Sequence, residues 1–287
     1  MFGQWLNKFS LIIYSSHNKF LDFRFTMKKK VSLEEMREIQ LNILDKIDRF
    51  CQEKKLRYSL GGGTLLGAIR HKGYIPWDDD IDIMMPRPDY EVFLECFGNK
   101  YEHLVLQHYK NSRACLKIFA KVFDDRTVLL EKNQKCGVYV DVFPIDGLPS
   151  IEQLPSFVDE ITEATRWLWR TTNVFSFDKN LLRFAKFVIR RFFGPSRRTV
   201  VERLDSCLMR YPFESSKFAG AIVGRYVEKE HMEAHVFKSF IDVPFENRMY
   251  KAIEEYDAYL RKHYGDYMKL PPKEQQVSNH DYNAWWK

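Results

Sequence analysis

The chain has 287 residues, 45% of them apolar, which excludes a disordered tail and allows one large domain or a domain with an added lobe. Its five cysteines, Cys51, Cys96, Cys115, Cys136 and Cys207, are odd in number and form no C-x-x-C pair. That argues against a disulfide frame or a structural zinc site and points to a reducing cytoplasm. The net charge of +6 suits a partner that carries phosphate, as does a lysine-rich soluble surface, and no apolar stretch approaches the roughly 20 residues of a membrane span.

Residues 1–26 stand apart. Phe9 to Tyr14 is too short for the core of a secretory signal, and Met27 opens MKKKVSLEEM, which reads as a natural start. An upstream extension is therefore expected here, with a short amphipathic anchor as the alternative. Ser32 and Glu35 then form a capping box, and Met36, Ile39, Ile43, Ile47 and Phe50 recur at helical spacing, which predicts a helix over 32–55. A short extended piece at 57–60 runs into Gly61-Gly62-Gly63, and Thr64 to Arg70 reads as a short helix. A strand is expected over 81–84, a helix from Pro88 through 90–97, and strands over 104–107, 116–123 and 138–143. Pro144 and Gly147-Leu148-Pro149 are read as the end of the last strand. Beyond residue 150, helices are expected over 151–172, 178–193, 197–210 and 246–264. The fold class is thus α+β, with a core over 27–150, a helical lobe over 151–270 that completes the same domain, and a tail over 271–287 without clear periodicity.

Two features carry chemistry. PWDDDIDI (Pro76 to Ile83) crowds four carboxylates into five residues. In a strand Asp78, Asp80 and Asp82 share one face, where like charges repel unless a counter-ion is present. A hard divalent cation supplies one, and Mg²⁺ takes carboxylate and phosphate oxygens together. A solvated acidic loop is the competing reading, and the flanking Ile81, Ile83 and Met84 argue for a buried strand instead. Closely upstream, Gly61-Gly62-Gly63 lets the backbone approach an anion, and the next helical turn points its N–H groups at it. Thr64 can cap that helix or donate to a phosphate. The basic link after it brings Arg70 and Lys72, which can neutralise phosphate charge. Asp141, set among the apolar residues of VYVDVFPID, is expensive to bury alone. It reads as a third metal ligand, as the base for an incoming hydroxyl, or as a strand-end carboxylate paired with a base.

These residues, in this order, resemble the LicD family of bacterial phosphocholine transferases, itself similar to the fukutin proteins. The segments that carry the resemblance are GGGTLLGAIRHKGYIPWDDDIDIMMPR (Gly61 to Arg87), AKVFDDRT (Ala120 to Thr127), YVDVFPIDGLP (Tyr139 to Pro149) and YGDYMKLPP (Tyr264 to Pro272). It covers residues 30–280 and omits 1–26. It implies a nucleotidyltransferase-like mixed sheet with flanking helices. It implies phosphate binding at Gly62, Gly63 and Thr64, and Mg²⁺ (or Mn²⁺) held by Asp80, Asp82 and Asp141 as the catalytic carboxylates. Lys121 falls in its A-K-V segment and is expected on substrate phosphate. The implied reaction moves phosphocholine, or a similar substituted phosphate, from CDP-choline or a related donor to a hydroxyl of lipopolysaccharide, teichoic acid or a capsule precursor. No role follows for Tyr264 to Pro272.

Choline prefers aromatic faces, and Tyr74, Trp77 and Tyr139 are the aromatic candidates by sequence, with ordinary core packing as the competing reading. Arg183, Lys186 and Arg190 share one face of Asn180 to Arg198. That segment reads either as a basic amphipathic helix on the inner face of the plasma membrane or as a helix packed on the core. The rival functions are a metal-dependent glycosyltransferase, which leaves the glycine turn unexplained, and a non-catalytic phosphate-binding protein. A nucleic-acid partner is not expected, because the stacked carboxylates would repel its backbone.

Overall fold

A computed structural model describes residues 29–98, 100–112, 115–131, 134–172, 194–223, 229–278 and 283–287. Residues 1–26, the expected helix at 178–193 and the basic face of Arg183, Lys186 and Arg190 lie outside these. Helix α1 (Leu33–Lys54) begins at the capping box: Ser32 Oγ accepts from Glu35 N–H, and the Glu35 carboxylate accepts from Ser32 N–H. It ends at Lys55 in the left-handed region. Its apolar face, Met36 to Phe50, is buried against the sheet.

The central sheet runs β1 (Ser59–Leu60), β2 (Asp82–Pro86), β7 (Tyr139–Leu148), β4 (Ala120–Asp124), β3 (Leu104–Gln107). Strands β2 and β7 are parallel, and the other neighbours in this order are antiparallel. Helix α2 (Gly62–Arg70) leaves β1, and α3 (Arg87–Cys96) leaves β2. Beyond β5 (Thr127–Glu131) and β6 (Gln134–Cys136), the chain adds α4 (Leu154–Thr172) and α5 (Arg197–Leu208), which pack on each other. Then come β8 (Phe218–Gly220), which pairs with the end of β7, and β9 (Met232–Glu233). The hairpin β10 (Phe240–Phe245) and β11 (Arg248–Ile253), α6 (Tyr256–Tyr264) and β12 (Ala284–Trp286) complete the fold.

The α+β class stands, with several local corrections. The helix expected over 246–264 is instead the second arm of a hairpin followed by α6. Pro244 opposes helix, Glu246 takes a left-handed φ of 54°, and Val243, Phe245, Tyr250 and Ala252 alternate toward the core. Among its described residues, the stretch 151–270 therefore carries four strands between its helices. Nor does Pro144 end β7. Asp141 N–H donates to Ile81 O, so the nitrogen of Pro144 faces the β4 side, where the pairing has already stopped at Ala120↔Val142. No ladder bond is lost there. The tail over 271–287 contributes β12, which pairs with β5.

Behind the sheet, Arg87 ties the core to α5. Its guanidinium donates twice to Asp146, at 2.6 and 2.7 Å, and once to Asp205 at 3.1 Å; Tyr109 Oη also donates to Asp205, at 2.5 Å.

Candidate active site

The sheet register brings three distant residues into one row. Asp82 on β2 is the partner of Asp141 on β7, and Asp141 is the partner of Lys121 on β4. Lys121 is 3% exposed, and its Nζ lies 2.9 and 3.0 Å from the two Asp141 carboxylate oxygens. It also lies 3.1 Å from the centre of the Tyr139 ring. Burial pushes the Asp82 carboxyl well above the usual carboxylate range, Asp80, Asp141 and Asp78 push it further, and Lys121 pulls the other way.

The glycine turn sits against this row. Gly61 N–H donates to Asp82 O, and Asp82 N–H donates to Thr64 Oγ1 at 2.9 Å, so both backbone groups of Asp82 are fixed. Gly62 has a φ of 47°, and a Cβ there would lie 3.6 Å from Asp82 Oδ2. A Cβ on Gly63 would lie 2.8 Å from Asp78 Oδ2, so any larger residue there would displace the Asp78 carboxylate.

Asp78 and Asp80 reach the site by another route than the one expected. Strand β2 starts only at Asp82, and residues 78–81 form a connecting loop. Helix α1 holds that loop: Arg37 donates to the carbonyls of Ile75, Pro76 and Asp78, and Gln40 to that of Asp79. Ser278 Oγ donates to Asp79 Oδ2 from the C-terminal segment. Asp78, Asp79 and Asp80 each bring an oxygen within 4.8 Å of the others.

A cavity of about 700 Å³ opens over these groups. Of the residues singled out from the sequence, Gly62, Gly63, Arg70, Asp80, Asp82, Lys121 and Asp141 line it. Arg70 donates to Tyr267 O at 2.7 Å, which fixes its guanidinium at the wall. Two residues depart from expectation. Lys72 does not line the cavity; it lies past the end of α2 with a φ of 62°, exposed, its carbonyl accepting from Glu246 N–H. Thr64 is 3% exposed and uses its hydroxyl to hold Asp82. Replacing Thr64 with valine keeps the shape and leaves the Asp82 N–H unpaired, so we expect a loss of about 1–3 kcal/mol in unfolding free energy. Thr64→Ser restores it. A hydroxyl serving phosphate instead would raise the donor KM on Thr64→Val and leave the melting temperature unchanged.

Asp78, Asp79 and Asp80 are the carboxylates that come close enough together to share a divalent cation, and Asp82 and Asp141 lie outside that cluster. Asp78, Asp80, Asp82 and Asp141 all line one cavity, and their mutual repulsion is the charge that such an ion relieves.

Sequence reasoning missed a second wall. Tyr264 to Pro272, Glu230, Tyr259 and His263 face the same cavity, with the exception of Gly265 and Met268. His263 Nε2 lies 2.9 Å from Glu230 Oε1, and Tyr259 Oη lies 3.3 Å from the same oxygen. Glu230 thereby ties α6 at two points, and α6 packs against α2. Nothing local marks Glu230 or His263; only the fold unites them.

Comparison with known proteins is decisive at this point. The chain is 33% identical over 267 residues to the lipopolysaccharide cholinephosphotransferase LicD of Haemophilus influenzae, covering 90% of this chain and 99% of that protein. The chain belongs to the LicD family. Residues 55–196 match the family domain described as LicD/FKTN/FKRP, nucleotidyltransferase domain. An uncharacterized protein of Rickettsia prowazekii is 28% identical over 129 residues, 44% of each chain. One from Rickettsia typhi is 31% identical over 139 residues, 46% of this chain and 40% of that one. The LicD domain match holds the glycine turn, the acidic loop and the Asp82–Asp141–Lys121 row; it stops short of Glu230, Tyr259 and His263. This LicD-family chain is a transferase enzyme, and among its described residues no helix is long and apolar enough to cross a membrane.

Proposed function

We propose that this protein transfers phosphocholine, or a similarly substituted phosphate, from a CDP-activated donor to a hydroxyl of a cell-surface glycan such as lipopolysaccharide. The observation that carries the reading is the row Asp82–Asp141–Lys121 set against the N-terminus of α2 in one cavity, in a chain of this family. The N–H groups at Gly62 and Gly63 sit where a helix N-terminus receives phosphate oxygens. Arg70 and Lys121 add positive charge for a diphosphate.

Asp80, Asp82 and Asp141 would hold Mg²⁺, with Mn²⁺ as a substitute and Asp78 beside them. The ion would neutralise charge that develops on the leaving side. The acceptor oxygen bonds to the phosphorus that bears choline, the bond from that phosphorus to CMP breaks, and the hydroxyl proton leaves for solvent. Lys121 holds Asp141 in register, and the Thr64 hydroxyl holds Asp82. Catalysis here is positioning and electrostatics, with no covalent step on the protein.

A donor screen tests the reading. The full chain with Mg²⁺ is given CDP-choline, CDP-ethanolamine, CDP-glycerol and nucleotide-sugars, with a lipopolysaccharide acceptor. We expect CMP release from CDP-choline. Release of a nucleoside diphosphate from a nucleotide-sugar alone would replace the proposal with glycosyl transfer.

A further inference from the structure

The charged row has an apolar neighbour that phosphate binding leaves unexplained. One pleat further along the same sheet face, Met84 on β2 is the partner of Phe143 on β7. The β4–β7 register, Ala120↔Val142 and Lys121↔Asp141, places Phe119 beside Phe143, and their ring centres are 4.7 Å apart with planes inclined by 30°. Met84, Phe143 and Phe119 all line the cavity, and both phenylalanine rings are half-buried. The face therefore reads Asp82–Asp141–Lys121, then Met84–Phe143–Phe119.

We infer that the Met84–Phe143–Phe119 row seats the quaternary ammonium of the transferred group. The inference rests on the phosphocholine reading above and names the residues that select the substituent. Residues two apart along a strand are separated by about 6.6 Å, a step that a two-carbon link from phosphate oxygen to nitrogen spans to within van der Waals contact. A phosphate over the charged row thus projects its substituent onto the apolar one. A trimethylammonium group has no N–H to satisfy and gains from aromatic faces. A primary ammonium or a glycerol hydroxyl would lose hydrogen bonds to water on the same surface. The protein already places an ammonium over this row: Lys117 Nζ lies 5.1 Å from the Phe119 ring centre. A bound trimethylammonium would displace that ammonium from the ring.

The aromatic candidates read from sequence fit less well. Tyr74 does not line the cavity; it is buried under the Arg37 guanidinium, 4.6 Å from its ring centre. The Tyr139 face is taken by Lys121, which is bound to Asp141. Trp77 lines the cavity on the acidic loop, where the carboxylates draw the cation toward the metal position instead.

The test is titration calorimetry on the full chain with Mg²⁺, using CDP-choline, CDP-ethanolamine and CDP-glycerol. The variants are Phe119→Leu, Phe143→Leu and both together, which keep the surface apolar and remove the rings. We expect the wild type to prefer CDP-choline. Each leucine should weaken CDP-choline about fivefold or more and leave the other two donors within about twofold. Should Phe143→Leu fail to fold, Phe119→Leu and competition by tetramethylammonium still decide: the ion should displace CDP-choline from the wild type and leave CMP bound. An unchanged choline preference in the double variant, or an equal loss for all three donors, overturns the inference and leaves the phosphocholine reading standing. A wild type that binds no CDP-alcohol removes both.

Discussion

Replacing Asp82 with asparagine lowers turnover by about three orders of magnitude or more and leaves the fold intact. Asparagine has the same shape, and the bonds that fix this residue, Gly61 N–H to its carbonyl and its N–H to Thr64 Oγ1, belong to the backbone. What is lost is a charge. Asp82 stands beside Asp141 and lines the cavity with Asp80 and Asp78, and burial together with these neighbours already opposes its ionisation. A carboxylate held at that disadvantage is useful when a cation compensates it. The variant should therefore be as stable as the wild type, or more so, in thermal unfolding without Mg²⁺. Chelation of divalent ions should reduce the wild type to the level of Asp82→Asn, and added Mg²⁺ should rescue only the wild type. Near-normal turnover of Asp82→Asn, or wild-type turnover that survives chelation, would remove the metal from the mechanism.

Replacing Arg87 with leucine costs about 3–5 kcal/mol of stability, for a reason unconnected with chemistry. Arg87 opens α3 and is 6% exposed; Asp146 and Asp205, which it bridges, are 1% and 2% exposed. Burial pulls its pKa down, and the two aspartates outweigh that pull. Without the guanidinium two carboxylates are left in the interior where β7 meets α5. Denaturant unfolding should show the loss directly, and a donor-binding constant measured on the folded fraction should be unchanged. A cost below about 1 kcal/mol would mean that water reaches the pair.

The parts of this protein legible in the sequence are those written in local spacing. Ser32 and Glu35 stand at a fixed interval and dictate the start of α1. The run from Gly61 to Asp82 carries its chemistry in residue types alone, and the alternation around Asp141 marks a strand. Arg70 and Lys72 show where local reading stops. Gly63, Leu66 and Arg70 lie at i, i+3 and i+7 on α2 and all face the cavity, whereas Lys72 comes after the helix ends and turns away. By residue type the two bases are alike, and only the helical period separates them. The hairpin at 240–253 was hidden because Met249, Tyr250, Ile253 and Tyr256 also satisfy helical spacing; Pro244 and the Glu246-Asn247 turn were the contrary signs. Phe119 and Phe143 follow the same two-residue period as Lys121 and Asp141, yet their adjacency depends on the β4–β7 register, which no local pattern specifies. The tie from Glu230 to Tyr259 and His263 is tertiary throughout. So is the part played by Tyr264 to Pro272, a segment legible as a family feature, whose place as the far wall of the cavity only the fold supplies.

The mass of the acceptor after reaction tests the phosphocholine assignment most directly. Lipopolysaccharide is incubated with the full chain, CDP-choline and Mg²⁺, and its mass is measured beside the CMP released. We predict a gain of one phosphocholine for each CMP, and no gain with Asp82→Asn. An acceptor of unchanged mass beside free CMP, or a gain that Asp82→Asn reproduces, would contradict transfer at the Asp82–Asp141–Lys121 row.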